Sequence, residues 1–293
     1  MHAQLEGLKM PYVRFPAVDG RSLPRETIAA LASPLCQLTC TPSMIGCALS
    51  HMSLWQVIQQ QKHKLTLILE DDAQLVPDFV PRLKQALRDV PRDFDVLVLG
   101  CFFLCNKGHA YEWPHSLLRL GMKTRQDTRT WGSVFVPEAF RGTHCYIVSL
   151  QGAHKLAQHI PRVKFHIDVQ MNHPAINIYA ASPDLAFQKD MSESSIAGYA
   201  FPRTLLPVLS RLRDSKNISA AYYLEVPMGQ VAGKPINSWT LVFFVLGAAL
   251  QSRAAWGALV AFFVLEVALC GDITAALASV VLGRATRLLL FKR

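Results

Sequence analysis

Residues 65–72 read LTLILEDD, five residues of strand-forming and mostly apolar character that run without a turn into three consecutive carboxylates. A run that short and apolar suits a strand buried on both faces, because an antiparallel strand with one wet face alternates polar and apolar positions. Buried strands need helical cover, and the flanking sequence supplies it. In TPSMIGCALSHMSLWQVIQQ at 41–60, Thr41 is placed to cap and Pro42 to open a helix whose apolar positions fall at 45, 48, 49, 52 and 55. DFVPRLKQALRDV at 78–90 carries Phe79, Leu83, Leu87 and Val90 on one helical face. DFDVLVLG at 93–100 reads as a second strand, and CYIVSLQGAHKLAQHI at 145–160 as a strand, a Ser149 cap and a helix. Repeated strand and helix units predict an α/β sheet with parallel strands at its centre. Residues 101–142 lack periodicity and are expected to be long surface or active-site loops.

Composition changes near Lys234. The chain as a whole is 51% apolar, 17% charged and +9 in net charge, but residues 235–283 contain only Arg253, Glu266 and Asp272 as charges. Its apolar blocks at 239–250, 254–270 and 273–283 show no polar stripe and each falls short of the roughly 20 residues of an ordinary spanning helix. With neighbouring polar residues in the interface, two short spans become possible. The expectation is a membrane-anchor hairpin, flanked by Arg203, Arg211, Arg213, Lys216 and Lys234 before it and by the basic tail RATRLLLFKR after it. Basic residues on both sides are expected to place both ends, and the domain that precedes the apolar stretch, on the cytoplasmic face against anionic lipid. The expected division is therefore a domain over residues 1–202, a basic connection over 203–234 and an apolar anchor over 235–293.

The same basic flanks account for the +9, since no basic reading helix, stacking repeat or glycine-rich phosphate loop points to nucleic acid. The first 20 residues hold no apolar core of signal-peptide length, and seven scattered cysteines read as free thiols of a reducing compartment. Cys36, Cys40, Cys47 and His51 could supply four zinc ligands, but without the close-pair spacing of zinc knuckles.

Glu70, Asp71 and Asp72 carry the chemistry. Ligands of open α/β sheets collect at the carboxyl ends of strands, and three adjacent carboxylates repel one another unless a cation relieves them. Oxygen ligands suit Mg²⁺ or Mn²⁺, which can hold a diphosphate. Alternation along the strand lets at most two of the three face one ligand. On the preceding helix, His51 lies four residues from both Cys47 and Trp55, so the three share a face.

VRFPAVDG at 13–20, MIGCALSH at 44–51, LILEDDA at 67–73 and GTHCYIVSLQGAHKL at 142–156 occur in an order that resembles the family 25 glycosyltransferases of lipopolysaccharide and glycoprotein glycan synthesis. The resemblance covers about residues 1–200. It implies a type A glycosyltransferase fold, a Rossmann-like mixed sheet flanked by helices, here followed by the C-terminal hydrophobic helical segment. It further implies an inverting transfer of a sugar, galactose from UDP-galactose in many members, to a lipopolysaccharide, lipid-linked or oligosaccharide acceptor. By that match Asp71 and Asp72 take the metal and diphosphate, Asp72 with a part in catalysis. Glu70, Gly46, Ser50, His51 and Asp19 fall on the donor side, Asp19 also being readable as a plain Asp-Gly turn.

His166 and Asp168 in KFHIDVQM form a second centre, two apart on a segment expected to be extended and so on one side of it. Asp168 matches an acidic position of the family and is expected to orient the acceptor hydroxyl or act as the general base. Thr143, Tyr146 and His166 are expected to line the acceptor pocket. The family also begins with a strand ahead of the helix that HAQLEGLKM resembles, and that strand is not in this sequence. A non-catalytic, membrane-associated saccharide or nucleotide-sugar binding protein on the same fold is the alternative.

Overall fold

The computed structural model describes residues 1–101, 129–188, 208, 211–212, 229–231, 234–270 and 274–290; within these stretches the side chains at 229, 231, 234–235, 265–270, 274–275 and 290 are not described. Helices α1 (His2–Gly7), α2 (Arg25–Leu31), α3 (Pro34–Thr39) and α4 (Pro42–Gln61) come first, then strands β1 (Leu65–Leu69) and β2 (Ala73–Leu75), helix α5 (Phe79–Asp89) and strand β3 (Val96–Val98). After them come β4 (Thr130–Trp131), β5 (Val134–Phe135), β6 (Cys145–Ser149), α6 (Leu150–His159), α7 (Ile167–Met171), β7 (Ile178–Ala181) and β8 (Ala186–Gln188). The chain divides into two compact units, Met1–Asp190 and Met191–Arg293.

The first unit is built on a six-stranded mixed sheet in the order β1-β6-β3-β7-β5-β4, with a separate antiparallel pair β2-β8. The parallel centre expected from the sequence is reduced to one pairing, β3 with β7, because β6 runs antiparallel to both β1 and β3. Strand and helix alternation fixes direction only where a helix carries the crossover. Among the described residues β6 follows a two-strand hairpin and a loop, so nothing forces it to be parallel.

Period-two alternation sorts the strand residues between two cores. Val96, Val98, Tyr146, Val148, Ile178 and Ala180 face one core with Met44, Ile45, Ala48, Trp55 and Ile58 of α4 and Leu156 of α6. Leu97, Leu99, Cys145, Ile147, Tyr179 and Ala181 face the other with Phe79 and Ala86 of α5. The sheet is thus covered on both sides, which is why its strands read as near-continuous apolar runs. The sequence-predicted caps are in place: the Thr41 side chain accepts from the backbone of Met44, and that of Ser149 from the backbone of Gly152.

The expectation that the cysteines are free thiols is overturned for three of them. Cys36 and Cys40 are joined in a disulfide across one turn of α3, with Cα atoms 4.7 Å apart, and Cys101 is also disulfide-bonded. Residues four apart on a helix stack on one face, close enough to bridge. Two of the four zinc ligands weighed from the sequence are thereby removed. Cys47 and Cys145 are the free thiols among the described residues.

The second unit holds a hairpin of β9 (Gly229–Val231) and β10 (Lys234–Ile236), then α8 (Ser238–Ala249), α9 (Arg253–Cys270) and α10 (Thr274–Leu290). Here the membrane hairpin and the cytoplasmic-face localisation are corrected. Among the described residues no helix is long and apolar enough to cross a membrane. The expected first span ends at Ala249 after 12 residues, about 18 Å of rise against a hydrocarbon core of about 30 Å. Instead of a two-helix hairpin there are three helices, and α8 packs on α10 through glycines: a Cβ on Gly247 would lie 2.1 Å from the carbonyl oxygen of Val280. Most of the expected basic connection at 203–234, and the side chain of Glu266, lie outside the described residues.

Candidate functional site

Glu70, Asp71 and Asp72 form the turn between β1 and β2. The Glu70 amide donates to the carbonyl of His144 at 2.9 Å and that of Ala73 returns to the carbonyl of Glu70 at 3.3 Å. The turn ends strand alternation, so the three carboxylates go three ways. Glu70 turns inward, where its Oε1 accepts a 2.6 Å hydrogen bond from the Thr143 hydroxyl and lies 3.2 Å from His51 Nε2. Asp71 is exposed. Asp72 leans toward β8, accepting from the side-chain amide of Gln188, while its second oxygen, Oδ1, is buried without a hydrogen-bond partner among the described residues.

These surroundings set the proton affinities. For Glu70, burial works to raise the value, but the bond and charge of His51 and the bond from Thr143 outweigh it and hold the carboxyl below its ordinary range. For Asp72, burial first and then the charge of Glu70 push the carboxyl up to about 6, with Asp71 adding to the rise and Gln188 opposing it. Burial and negative neighbours of this kind are what a hard divalent cation would relieve at Asp72.

Behind Glu70 stands a buried chain of aromatic and imidazole groups. His51 is 4% exposed, and its Nδ1 lies 2.9 Å from the Tyr146 hydroxyl, which also accepts from Trp55 Nε1 at 3.1 Å. The helical spacing that puts Cys47, His51 and Trp55 on one face of α4 therefore aims that face at β6 and at the acidic turn. Tyr146, expected in the acceptor pocket, is fully buried, and its hydroxyl is committed to His51 and Trp55. It supports the site from beneath because its position on β6 points into the core. Thr143, also expected on the acceptor side, holds Glu70.

Cys47 is where the two predicted centres meet. Burial and the charges of Glu70, Asp168 and Asp72 push its thiol well above the usual value. Asp168 accepts from the Gly142 amide at 2.9 Å and from the Val169 amide at 2.7 Å, and Arg141 Nη1 lies 4.0 Å from it. Gly142 has φ +88°, a conformation that side chains disfavour, and this turn delivers its N–H to Asp168. The segment is not extended as expected: Asp168 is in the first turn of α7, and His166 stands outside as the residue before it. The two are therefore not aligned by strand alternation.

On the other side of α4, the Ser50 hydroxyl donates to the carbonyl of Gly46 and accepts from the amide of Val18, both at 2.8 Å. Gly46 lies beneath that segment, and a Cβ on it would come within 2.5 Å of the Val18 carbonyl oxygen. Gly46 and Ser50 thus dock residues 18–20 onto the helix. Asp19 is exposed and its side chain accepts from the amide of Arg21, the local turn that an Asp-Gly pair favours. Sequence reading missed Arg141 and Gln188, which reach Asp168 and Asp72 across 27 and 116 residues; no local pattern signals such contacts.

A helix-flanked mixed sheet with an acidic turn at the carboxyl end of a strand defines an α/β protein of the kind whose ligands collect at that edge. The sequence model of glycosyltransferase family 25 (LPS biosynthesis protein) matches residues 1–171, and the chain belongs to this family. It is 29% identical over 164 residues to a glycosyltransferase 25 family member of Aedes aegypti, covering 51% of this chain and 24% of that protein. It is 28% identical over 160 residues to procollagen galactosyltransferase 1 of Danio rerio, covering 50% and 24%. A match of 30% over 95 residues, 29% of this chain and 16% of the other, is to a Bos taurus protein named "Probable inactive glycosyltransferase 25 family member 3". The matched region spans about a quarter of the length of the first two relatives.

Proposed function

We propose that the first unit is a type A glycosyltransferase that moves a hexosyl group, galactose by the naming of the zebrafish relative, from a nucleotide diphosphate to a hydroxyl of a glycan acceptor such as lipopolysaccharide. The observation that carries this reading is Asp72, half-buried at a strand end with an orphan oxygen and a carboxyl held up to about 6. Asp71 and Asp72 would hold Mn²⁺ or Mg²⁺, and the bound ion would neutralise the charge that develops on a departing diphosphate. Glu70, fixed by His51 and Thr143, orients the turn. The docked segment 18–20 forms the donor side. Asp168, held by two backbone amides, faces the same region and is suited to take the proton of an acceptor hydroxyl in an inverting displacement.

The test is a screen of nucleotide sugars with the purified full chain and an oligosaccharide acceptor, with and without Mn²⁺. Metal-dependent sugar transfer that is lost in Asp71→Ala and Asp72→Ala is expected. Nucleotide-sugar binding without transfer, under every donor and metal tried, would overturn the transferase reading in favour of a binding protein on this fold, a loss of function that the bovine relative's name also describes.

A further inference from the structure

We propose that Cys47, His51 and Glu70 form a site for a thiophilic divalent metal of the zinc class, separate from the hard-cation position at Asp71 and Asp72. One sulfur, one imidazole nitrogen and one carboxylate oxygen of these residues all lie within 4.8 Å of one another. A thiolate selects zinc-like ions over Mg²⁺ and Mn²⁺, and three protein ligands leave a fourth tetrahedral position for water or a ligand. Cys47 is only half-buried and the Glu70 side chain is 29% exposed, so the cluster can be reached from outside.

The groups around the cluster do what supports of a metal centre do. A metal-binding histidine normally engages a partner through its other nitrogen, which fixes the ring and its tautomer. His51 has that partner in the Tyr146 hydroxyl, 2.9 Å from Nδ1 and itself tied to Trp55. With Nδ1–H donating to Tyr146, loss of the Nε2 proton that otherwise bonds Glu70 leaves a lone pair directed at the cluster. Thr143 holds the Glu70 oxygen in place, and the helical turn between Cys47 and His51 sets their spacing. The negative charges of Asp72 and Asp168 act on Cys47 and favour a dication there. On binding, the Cys47 thiol and the His51 Nε2–H each give a proton to solvent, and a sulfur–metal and a nitrogen–metal bond replace the S–H and N–H bonds.

This proposal does not rest on sugar transfer, and its test reads binding alone. The full chain, stripped with chelator, is titrated with Co²⁺ in the presence of excess Mg²⁺, and the thiolate-to-cobalt charge-transfer absorption is followed. One equivalent is expected to develop the band, Zn²⁺ to abolish it, the Asp71→Asn/Asp72→Asn variant to retain it, and Cys47→Ser to lose it. In the unmodified chain, Zn²⁺ is expected to slow alkylation of Cys47 by at least tenfold, mapped by peptide mass spectrometry, which does not depend on how any variant folds. Absence of the band in the unmodified chain, its survival in Cys47→Ser, or unchanged alkylation of Cys47 in Zn²⁺ would each overturn the proposal.

Discussion

At the scale of single residues, the acidic triplet shows how neighbours in sequence acquire opposite properties. Glu70 is stabilised as an anion by His51 and Thr143, whereas Asp72, two residues on, is driven toward its protonated form by burial and by Glu70 itself. The consequence for stability has a definite sign. An acid held above its ordinary value binds its proton more tightly folded than unfolded, so stability falls as pH rises from about 4 to about 6 and the loss is complete above that. Glu70 acts in the other direction and lower down: its contribution is present above the ordinary carboxylate value and lost as pH falls below it. In chelator, Asp72→Asn is therefore expected to flatten the slope between about pH 4 and 6 and to raise stability near neutrality by on the order of 1–3 kcal/mol, read from urea denaturation at each pH. A variant that loses stability across that whole range would contradict this account of Asp72.

Tyr146 makes a second residue-scale case. Its hydroxyl serves both Trp55 Nε1 and His51 Nδ1 in a dry interior, so Tyr146→Phe strands two buried polar groups while changing almost no volume. The expected cost is about 1–3 kcal/mol by denaturant unfolding. A double-mutant cycle with Trp55→Phe should recover part of it, because the second change removes one of the stranded donors. None of this was legible in the sequence. The sequence places Tyr146 in an acceptor pocket, and only the packing of β6 against α4 brings it under His51.

At the scale of elements, local chemistry was readable wherever a helix or strand carries its own signals. Thr41, Pro42 and Ser149 mark helix starts without reference to the rest of the chain, and the five-residue runs of β1 and β6 announce strands. β6 is buried as expected, whereas β1 is the sheet's edge strand, with Leu65 exposed and only Ile68 buried, because no sequence signal says which strand will lie at an edge. Direction, by contrast, is a property of pairs, so β6 could not be known to run antiparallel. The segment at 167–171 failed for a related reason. Its strand-like side chains are overridden by packing, with Ile167 and Met171 buried one helical turn apart. A prediction follows for α4, which meets residues 18–20 by close backbone approach at Gly46 as well as through the Ser50 hydroxyl. Gly46→Ala would place a methyl 2.5 Å from the Val18 oxygen and 2.7 Å from the Gly20 amide nitrogen, both main-chain atoms that cannot swing aside. The change is expected to cost about 1–3 kcal/mol and to lift that segment off the helix. Nucleotide-sugar affinity, measured by calorimetry, should fall at least tenfold; unchanged affinity would remove residues 18–20 from the donor side.

For the molecule as a whole, the chain divides into two compact units, Met1–Asp190 and Met191–Arg293. All the residues of the candidate site, and the whole of the family match, lie in the first unit, and the apolar sequence belongs to the second. That sequence was read as a lipid anchor because it lacks a polar stripe. In the structure its helices bury Phe243, Ala276 and Val280 among themselves and leave Val245, Val281 and Leu289 exposed, an arrangement that hydropathy alone does not distinguish from a span. The glycines are what identify the helix packing: Gly247 meets the backbone at Val280, and Gly283 would bring a Cβ to 2.0 Å from the Phe244 oxygen. Gly247→Leu should therefore separate α8 from α10, since neither backbone can yield to a new side chain. If the two units fold as independent cores, calorimetric unfolding of this variant will lose or lower one transition by several degrees while the other keeps its midpoint. Mn²⁺ binding through Asp71 and Asp72 should stay within twofold of the unmodified chain. Loss of metal binding along with the second unit's transition would show that the acidic turn depends on the apolar unit.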